Sequence, residues 1–111
     1  MPGKFEIRKS SDAQVYFNLK AANGQVILTS ETYKTKSSAN GGIASVKENA
    51  PLDARYERRN PSPGRYHFAL RARNGEIIGQ SELYTSASGM ENGIESVKKN
   101  APDAMIEDLT S

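Results

Sequence analysis

A block of roughly fifty residues occurs twice in this chain, the second copy directly after the first. Asn23-Gly24 recurs as Asn74-Gly75, an offset of 51 residues, and the offset holds without a gap. Phe17, Leu19 and Ile27 meet Phe68, Leu70 and Ile78. Ser30-Glu31-Thr32-Tyr33 meets Ser81-Glu82-Leu83-Tyr84. Gly42-Ile43-Ala44-Ser45-Val46-Lys47 meets Gly93-Ile94-Glu95-Ser96-Val97-Lys98, and Asn49-Ala50-Pro51 meets Asn100-Ala101-Pro102. An ungapped match of this extent is a duplication, and a duplicated unit confines the fold to one motif used twice. A third, partial copy closes the chain. Phe5-Glu6, Tyr56-Glu57 and Ile106-Glu107 repeat one first-strand signature, the last two preceded by Asp53-Ala54 and Asp103-Ala104.

Within each copy the apolar period changes from two to 3.6. Phe17, Leu19 and Ala21 alternate with Tyr16, Asn18 and Lys20, and Phe68, Leu70 and Ala72 alternate with His67, Arg71 and Arg73, as half-buried strands do. The Asn-Gly pairs predict type I′ hairpin turns, with Val26-Ile27-Leu28 and Ile77-Ile78 returning. Ala39, Ile43, Val46 and Ala50, and likewise Met90, Ile94, Val97 and Ala101, form single helical stripes. Ser88 with Glu91 has capping-box spacing, and Ser37 with Asn40 is the weaker equivalent. Pro51 and Pro102 end the helices. Gly42 and Gly93 lie inside them, at a cost of about 1 kcal/mol each relative to alanine, which points to a close helix-to-sheet approach. The expected fold is α+β. Tandem βββα units, residues 4–54 and 55–109, are closed by a final strand into one domain over 1–111. Two helices cover one face of an antiparallel sheet. The strand near Tyr56 is expected to serve both halves.

Composition removes several function classes. Cysteine is absent from the 111 residues, so disulfides, thiolate metal sites and cysteine nucleophiles are excluded. No apolar run approaches the roughly 18 residues of a membrane span. The start, Met1-Pro2-Gly3-Lys4, has no apolar signal region, and Gly3 is not at the myristoylation position. A cytoplasmic setting is the expectation, with no membrane association, no cofactor and no metal. No P-loop, dinucleotide fingerprint, calcium loop or metalloprotease motif is present.

The net charge is +2, unevenly placed. Arg55, Arg58, Arg59, Arg65, Arg71 and Arg73 are six of the seven arginines, with Glu57 the one acid among them, whereas Asp103 through Asp108 is acidic. Such a cluster is a solvated face in most proteins and a polyanion site in some. The candidate polyanion-binding residues are Arg55, Arg59, Arg65, Arg71 and Arg73. His67, the one histidine, has Tyr16 as its repeat partner and is expected on the outer surface of a strand. Gly64-Arg65-Tyr66-His67-Phe68 has a faint likeness to an RNA-recognition strand, without the full pattern. The repeated Ser30, Glu31, Tyr33 and Ser81, Glu82, Tyr84 are candidates for ligand binding or proton transfer. Serving as turn and packing residues explains them as well.

The doubled order Asn-Gly, Ser-Glu-x-Tyr, Gly-Ile-x-Ser-Val-Lys, Asn-Ala-Pro resembles the YegP-like family of small bacterial proteins, over about Lys4 to Met105. The resemblance implies an α+β fold in which the units complete one sheet by exchanging terminal strands, a bacterial origin and no established activity. It transfers no functional residues. Gly41-Gly42, in place of Asn-Gly, and the prolyl loop Asn60-Pro61-Ser62-Pro63-Gly64 depart from the family pattern.

Three functions remain in order of expectation. The first is a non-catalytic binding or interaction module, monomeric or homodimeric, with a protein partner added at a sheet edge. The second is nucleic-acid binding through the arginines. The third is an enzyme using the Ser-Glu-x-Tyr motif, and no catalytic residue is assigned to it.

Overall fold

The structure is a computed structural model and describes residues 3–10 and 12–110. Seven strands form one sheet: β1 (Lys4–Lys9), β2 (Val15–Lys20), β3 (Val26–Ser30), β4 (Tyr56–Ser62), β5 (Arg65–Arg71), β6 (Ile77–Gln80) and β7 (Met105–Asp108). Helices α1 (Lys36–Asn49) and α2 (Ala87–Asn100) follow β3 and β6. The spatial order is β4-β5-β6-β3-β2-β1-β7. The α+β class, the duplicated βββα unit and the closing strand are as the sequence predicts.

Strand exchange takes a narrower form than the family resemblance implies. Each unit pairs its own three strands, and β3 meets β6 to join the units. Only β7 crosses, lying beside β1 of the other unit. That ladder is parallel, so the sheet is mixed rather than wholly antiparallel. β4, the strand near Tyr56, pairs with β5 alone among the described residues and ends the sheet. Its inward Arg58 is bound to Glu91 (2.6 Å) and Asp53 (2.9 Å), and Pro61 lacks an amide donor. Both features blunt that edge against further strands.

Both helices lie on one face. Phe5, Ile7, Phe17, Leu19, Leu28, Phe68 and Leu70 point towards Ile43, Val46, Ile94 and Val97, and all are almost fully buried. Burying each phenylalanine is worth about 2–3 kcal/mol. Phe5 meets Phe17 edge-on and Tyr56 meets Phe68 in the same way, both at 5.7 Å. The buried glycines set the helix height. A methyl at Gly42 would strike the Tyr33 hydroxyl and approach Phe17 to 3.0 Å, and one at Gly93 would strike Tyr84. Where the units join, the Leu28 side chain fills the space that a Cβ at Gly79 would need, 3.0 Å from its Cγ.

Two local readings are corrected. The helix caps are Thr35 and Ser86, two residues before the expected serines. Thr35 Oγ1 accepts from the Ser38 amide (3.1 Å) and Ser86 Oγ from the Gly89 amide (2.9 Å). Ser37 and Ser88 already lie in the first turn, and Glu91 is taken by Arg58. The Asn-Gly hairpins are not type I′, because only the glycines, Gly24 (φ 86°) and Gly75 (φ 87°), have positive φ there. The Gly24 amide bonds to the Ala21 carbonyl and the Ala21 amide to the Gln25 carbonyl, a three-residue turn with a glycine bulge.

Candidate functional site

The helices leave the other face of the sheet uncovered, and the strand registers fix what it presents. Glu57, Ala69, Gln80, Thr29, Asn18, Glu6 and Glu107 form one row across all seven strands. The row reads the same outwards from its centre, because Thr29 and Gln80 are repeat partners, as are Asn18 and Ala69, and Glu6 and Glu57. A pseudo-twofold axis therefore passes through the Thr29–Gln80 pair. Asn18 donates to Thr29 Oγ1 (2.9 Å), which ties two neighbouring residues of the row together.

Each glutamate anchors cations from the neighbouring rows. Glu6 accepts from Arg8 Nη2 (2.8 Å), Lys20 Nζ (3.0 Å) and Lys4 Nζ (3.3 Å) and is only 4% exposed. Burial pushes its pKa up, but hydrogen bonds from Arg8, Lys20 and Lys4 outweigh that and lower it to about 2. Lys4 also reaches Glu107 at 2.9 Å. The counterpart Glu57 holds Arg59 Nε (2.5 Å) and Arg71 Nε (2.7 Å), and Arg59 and Arg71 hold its pKa down. Its side chain is 38% exposed, since no seventh strand lies beside β4.

The arginine candidates divide. Arg59, Arg65 and Arg71 share this face with His67, Arg59 and Arg71 converging on Glu57. Arg73 follows the end of β5. Neither Arg65 nor Arg73 makes an ion pair among the described residues. Arg55 lies apart, its Nε donating to Asn49 Oδ1 (2.9 Å) at the end of α1. The sequence reading missed Lys4, Arg8, Tyr16 and Lys20, which form the matching half of the face. The signal was present as the period-two run Lys4, Glu6, Arg8 and in Lys20 as the repeat partner of Arg71.

The repeated Ser-Glu-x-Tyr motif sits where the chain leaves the sheet for the helix. Ser30 Oγ accepts from the Phe17 amide (2.8 Å) and donates to the Glu31 carbonyl (2.7 Å), and Ser81 does the same with Phe68 (3.0 Å) and Glu82 (2.8 Å). Tyr33 stacks on Phe17 (6.1 Å) and Tyr84 on Phe68 (6.4 Å) beneath the helix glycines. Burial and Glu31 raise the Tyr33 pKa, and burial and Glu82 raise that of Tyr84. A hydroxyl of this kind stays protonated at neutral pH. Among the described residues no cluster of three or more histidines and carboxylates could hold a metal ion. Among the described residues no helix is long and apolar enough to cross a membrane.

At the far edge, all four residues of β7 are exposed. Met105 and Ile106, 75% and 48% exposed, line a recess of about 500 Å³ bordered by Lys4, Lys20 and Ala21, and Leu109 just after the strand is 41% exposed.

The profile of a domain of unknown function, DUF1508, matches this chain twice, over residues 10–57 and 62–108. The chain belongs to the DUF1508 family. Its UPF0339 relatives match along their full length. The chain is 50% identical over 110 residues to the UPF0339 protein YegP of Escherichia coli K12, covering 99% of this chain and 100% of that protein. It is 48% identical over 108 residues to a UPF0339 protein of Pseudomonas aeruginosa, covering 97% and 98%. The solution NMR structure of E. coli YegP, described as a protein of unknown function, superposes with a TM-score of 0.94 at 50% identity and covers 100% of this chain and 96% of that one. A UPF0339 protein of Shewanella oneidensis gives a TM-score of 0.93 at 47% identity, covering 99% and 93%. The DUF1508 repeat in this chain thus corresponds to a unit of sheet and helix, with the Ser-Glu-x-Tyr motif at its internal junction.

Proposed function

We propose that this protein is a non-catalytic binding module whose uncovered sheet face receives an anionic partner. The observation that carries this reading is the charge balance of that face. Its strands present Lys4, Arg8, Lys20, Arg59, Arg65 and Arg71 against Glu6, Glu57 and Glu107, a larger positive excess than the +2 of the whole chain. Ion pairs with the glutamates hold Lys4, Arg8, Lys20, Arg59 and Arg71 in place, so a ligand meets them with little further ordering cost. The turn bonding of the Ser30 and Ser81 hydroxyls and the stacking of Tyr33 and Tyr84 beneath the helices support a binding rather than a catalytic role.

The test is retention on immobilised heparin. Arg65→Glu with Arg73→Glu is compared with Lys47→Glu with Lys99→Glu, which changes net charge equally on the two helices, across the sheet from the face. Earlier salt elution of the first variant alone supports the reading. Equal shifts, or no retention at low salt, reject it.

A second reading uses the β7 edge. Its two large apolar side chains, Met105 and Ile106, are exposed and line the recess, which favours a protein partner adding a strand there. Partner capture from the native cell that is abolished by Ile106→Lys, and is indifferent to nuclease, would select it.

A further inference from the structure

We infer that the anionic partner is a single-stranded nucleic acid, lying diagonally across the uncovered face; this rests on the binding-module reading above. Charge alone recognises any polyanion. What narrows the class is a pair of flat rings. Tyr16 and His67 occupy the same position in the two repeats, and each stands opposite an arginine, Arg8 across the β1–β2 ladder and Arg59 across the β4–β5 ladder. Both rings are partly exposed. Each half of the face thus holds one ring for stacking and one arginine beside it. The carboxylate of Glu6 or Glu57 fixes that arginine together with a second cation, Lys20 or Arg71. Aromatic rings beside fixed cations on an open sheet form a platform for bases and phosphates, and it serves only bases not already stacked in a duplex.

The topology sets the distance between the stations. Strands β2 and β5 are separated by β3 and β6, three spacings or about 14 Å. They run antiparallel to each other, so Tyr16 and His67 lie two residues from the central row on opposite sides of it. That displaces them by a further ~14 Å along the strands. The rings are therefore about 20 Å apart on a diagonal through the Thr29–Gln80 axis. A strand stacked as in a duplex, at about 3.4 Å per nucleotide, would cover that distance with roughly six nucleotides, and an unstacked, more extended strand covers it with fewer. Between them Thr29 and Gln80 are part-exposed, Asn18 and Ala69 are buried, and none of the four is charged, so nothing in that stretch repels a backbone.

The experiment is fluorescence anisotropy on the intact protein with labelled 12-nucleotide oligothymidylate and oligouridylate, a 12-base-pair duplex and heparin. Single strands are expected to bind, with a slope of log affinity against log salt near −2, for about three net phosphate contacts. Tyr16→Ala and His67→Ala are each expected to weaken binding about ten-fold at unchanged thermal stability. His67→Tyr should retain it, because Tyr16 already does the same work in the first repeat. If the duplex and heparin bind as tightly as the single strands and the ring variants change nothing, the single-strand assignment is wrong and the anionic-partner reading survives. If no polyanion binds at low salt, both fall.

Discussion

Thr29 and Gln80, the same position in the two repeats, are paired with each other in the ladder between β3 and β6. A residue opposite its own counterpart lies on a twofold axis. The axis makes the joint between the repeats an internal dimer interface, and stability and surface chemistry both follow from that.

Neither half keeps a complete sheet when separated. The first loses β7 from β1 and β6 from β3, and the second has no β1 on which to lay β7. Fragments 1–52 and 53–111 are each expected to be unfolded or self-associated, and an equimolar mixture to regain native circular dichroism. Two cooperatively folding monomers, seen by sedimentation and thermal melts, would contradict this.

Neighbouring glycines in α1 should respond in opposite directions. Gly41 has open space where a Cβ would stand, so Gly41→Ala should stabilise by about 0.5–1 kcal/mol. Gly42→Ala drives a methyl into Tyr33 and Phe17 and should destabilise by about 1–3 kcal/mol, the overpacking exceeding the gain in helix propensity. Gly93→Ala should match it through Tyr84. Urea titration of the three variants decides.

Glu6→Gln leaves Lys4, Arg8 and Lys20 around an uncharged amide. It should cost about 1–3 kcal/mol at neutral pH. The folded-state pKa of Glu6 lies below its ordinary value of 4.5, so the unfolded chain binds the proton more readily. The stabilisation is therefore complete above about pH 4.5 and is lost as pH falls towards about 2. Melting temperatures of the two proteins should converge over that window. A gap unchanged at pH 3 would show that the carboxylate charge is not its source.

Gly79→Ala places a methyl 2.9 Å from the Thr29 carbonyl oxygen and 3.0 Å from Leu28 Cγ, so it should be destabilising. Leu28→Ala in the same chain removes one of the two collisions. The double variant should be more stable than the sum of the single losses by about 0.5 kcal/mol or more. Strict additivity would mean that the two sites do not touch.

Much of this was legible because it is local. Phe17–Leu19 and Ile43–Val46 declare their elements by spacing, and the repeat supplies each observation twice. Whatever depended on distant partners was not. The side on which β7 docks is a choice between β1 and β4, strands of one signature. It goes to β1, where Lys4 and Lys36 reach Glu107 and Asp108. The caps were misread because Ser37 and Ser88 imitate the spacing that Thr35 and Ser86 serve. The arginine cluster was visible as composition. Its partition, with Arg55 turned to Asn49 and Arg59 to Glu57, needed the strand registers.

The contact between Leu28 and Gly79 breaks the symmetry of the joint. These two residues are also repeat partners, and they touch beside the axis. In an assembly of two identical single-repeat chains, both positions would hold one residue type: two leucines would collide, or two glycines would leave a gap. In one polypeptide the two positions are encoded separately, so one side can be large where the other is small. The seam is thus free of the requirement that its two sides be the same.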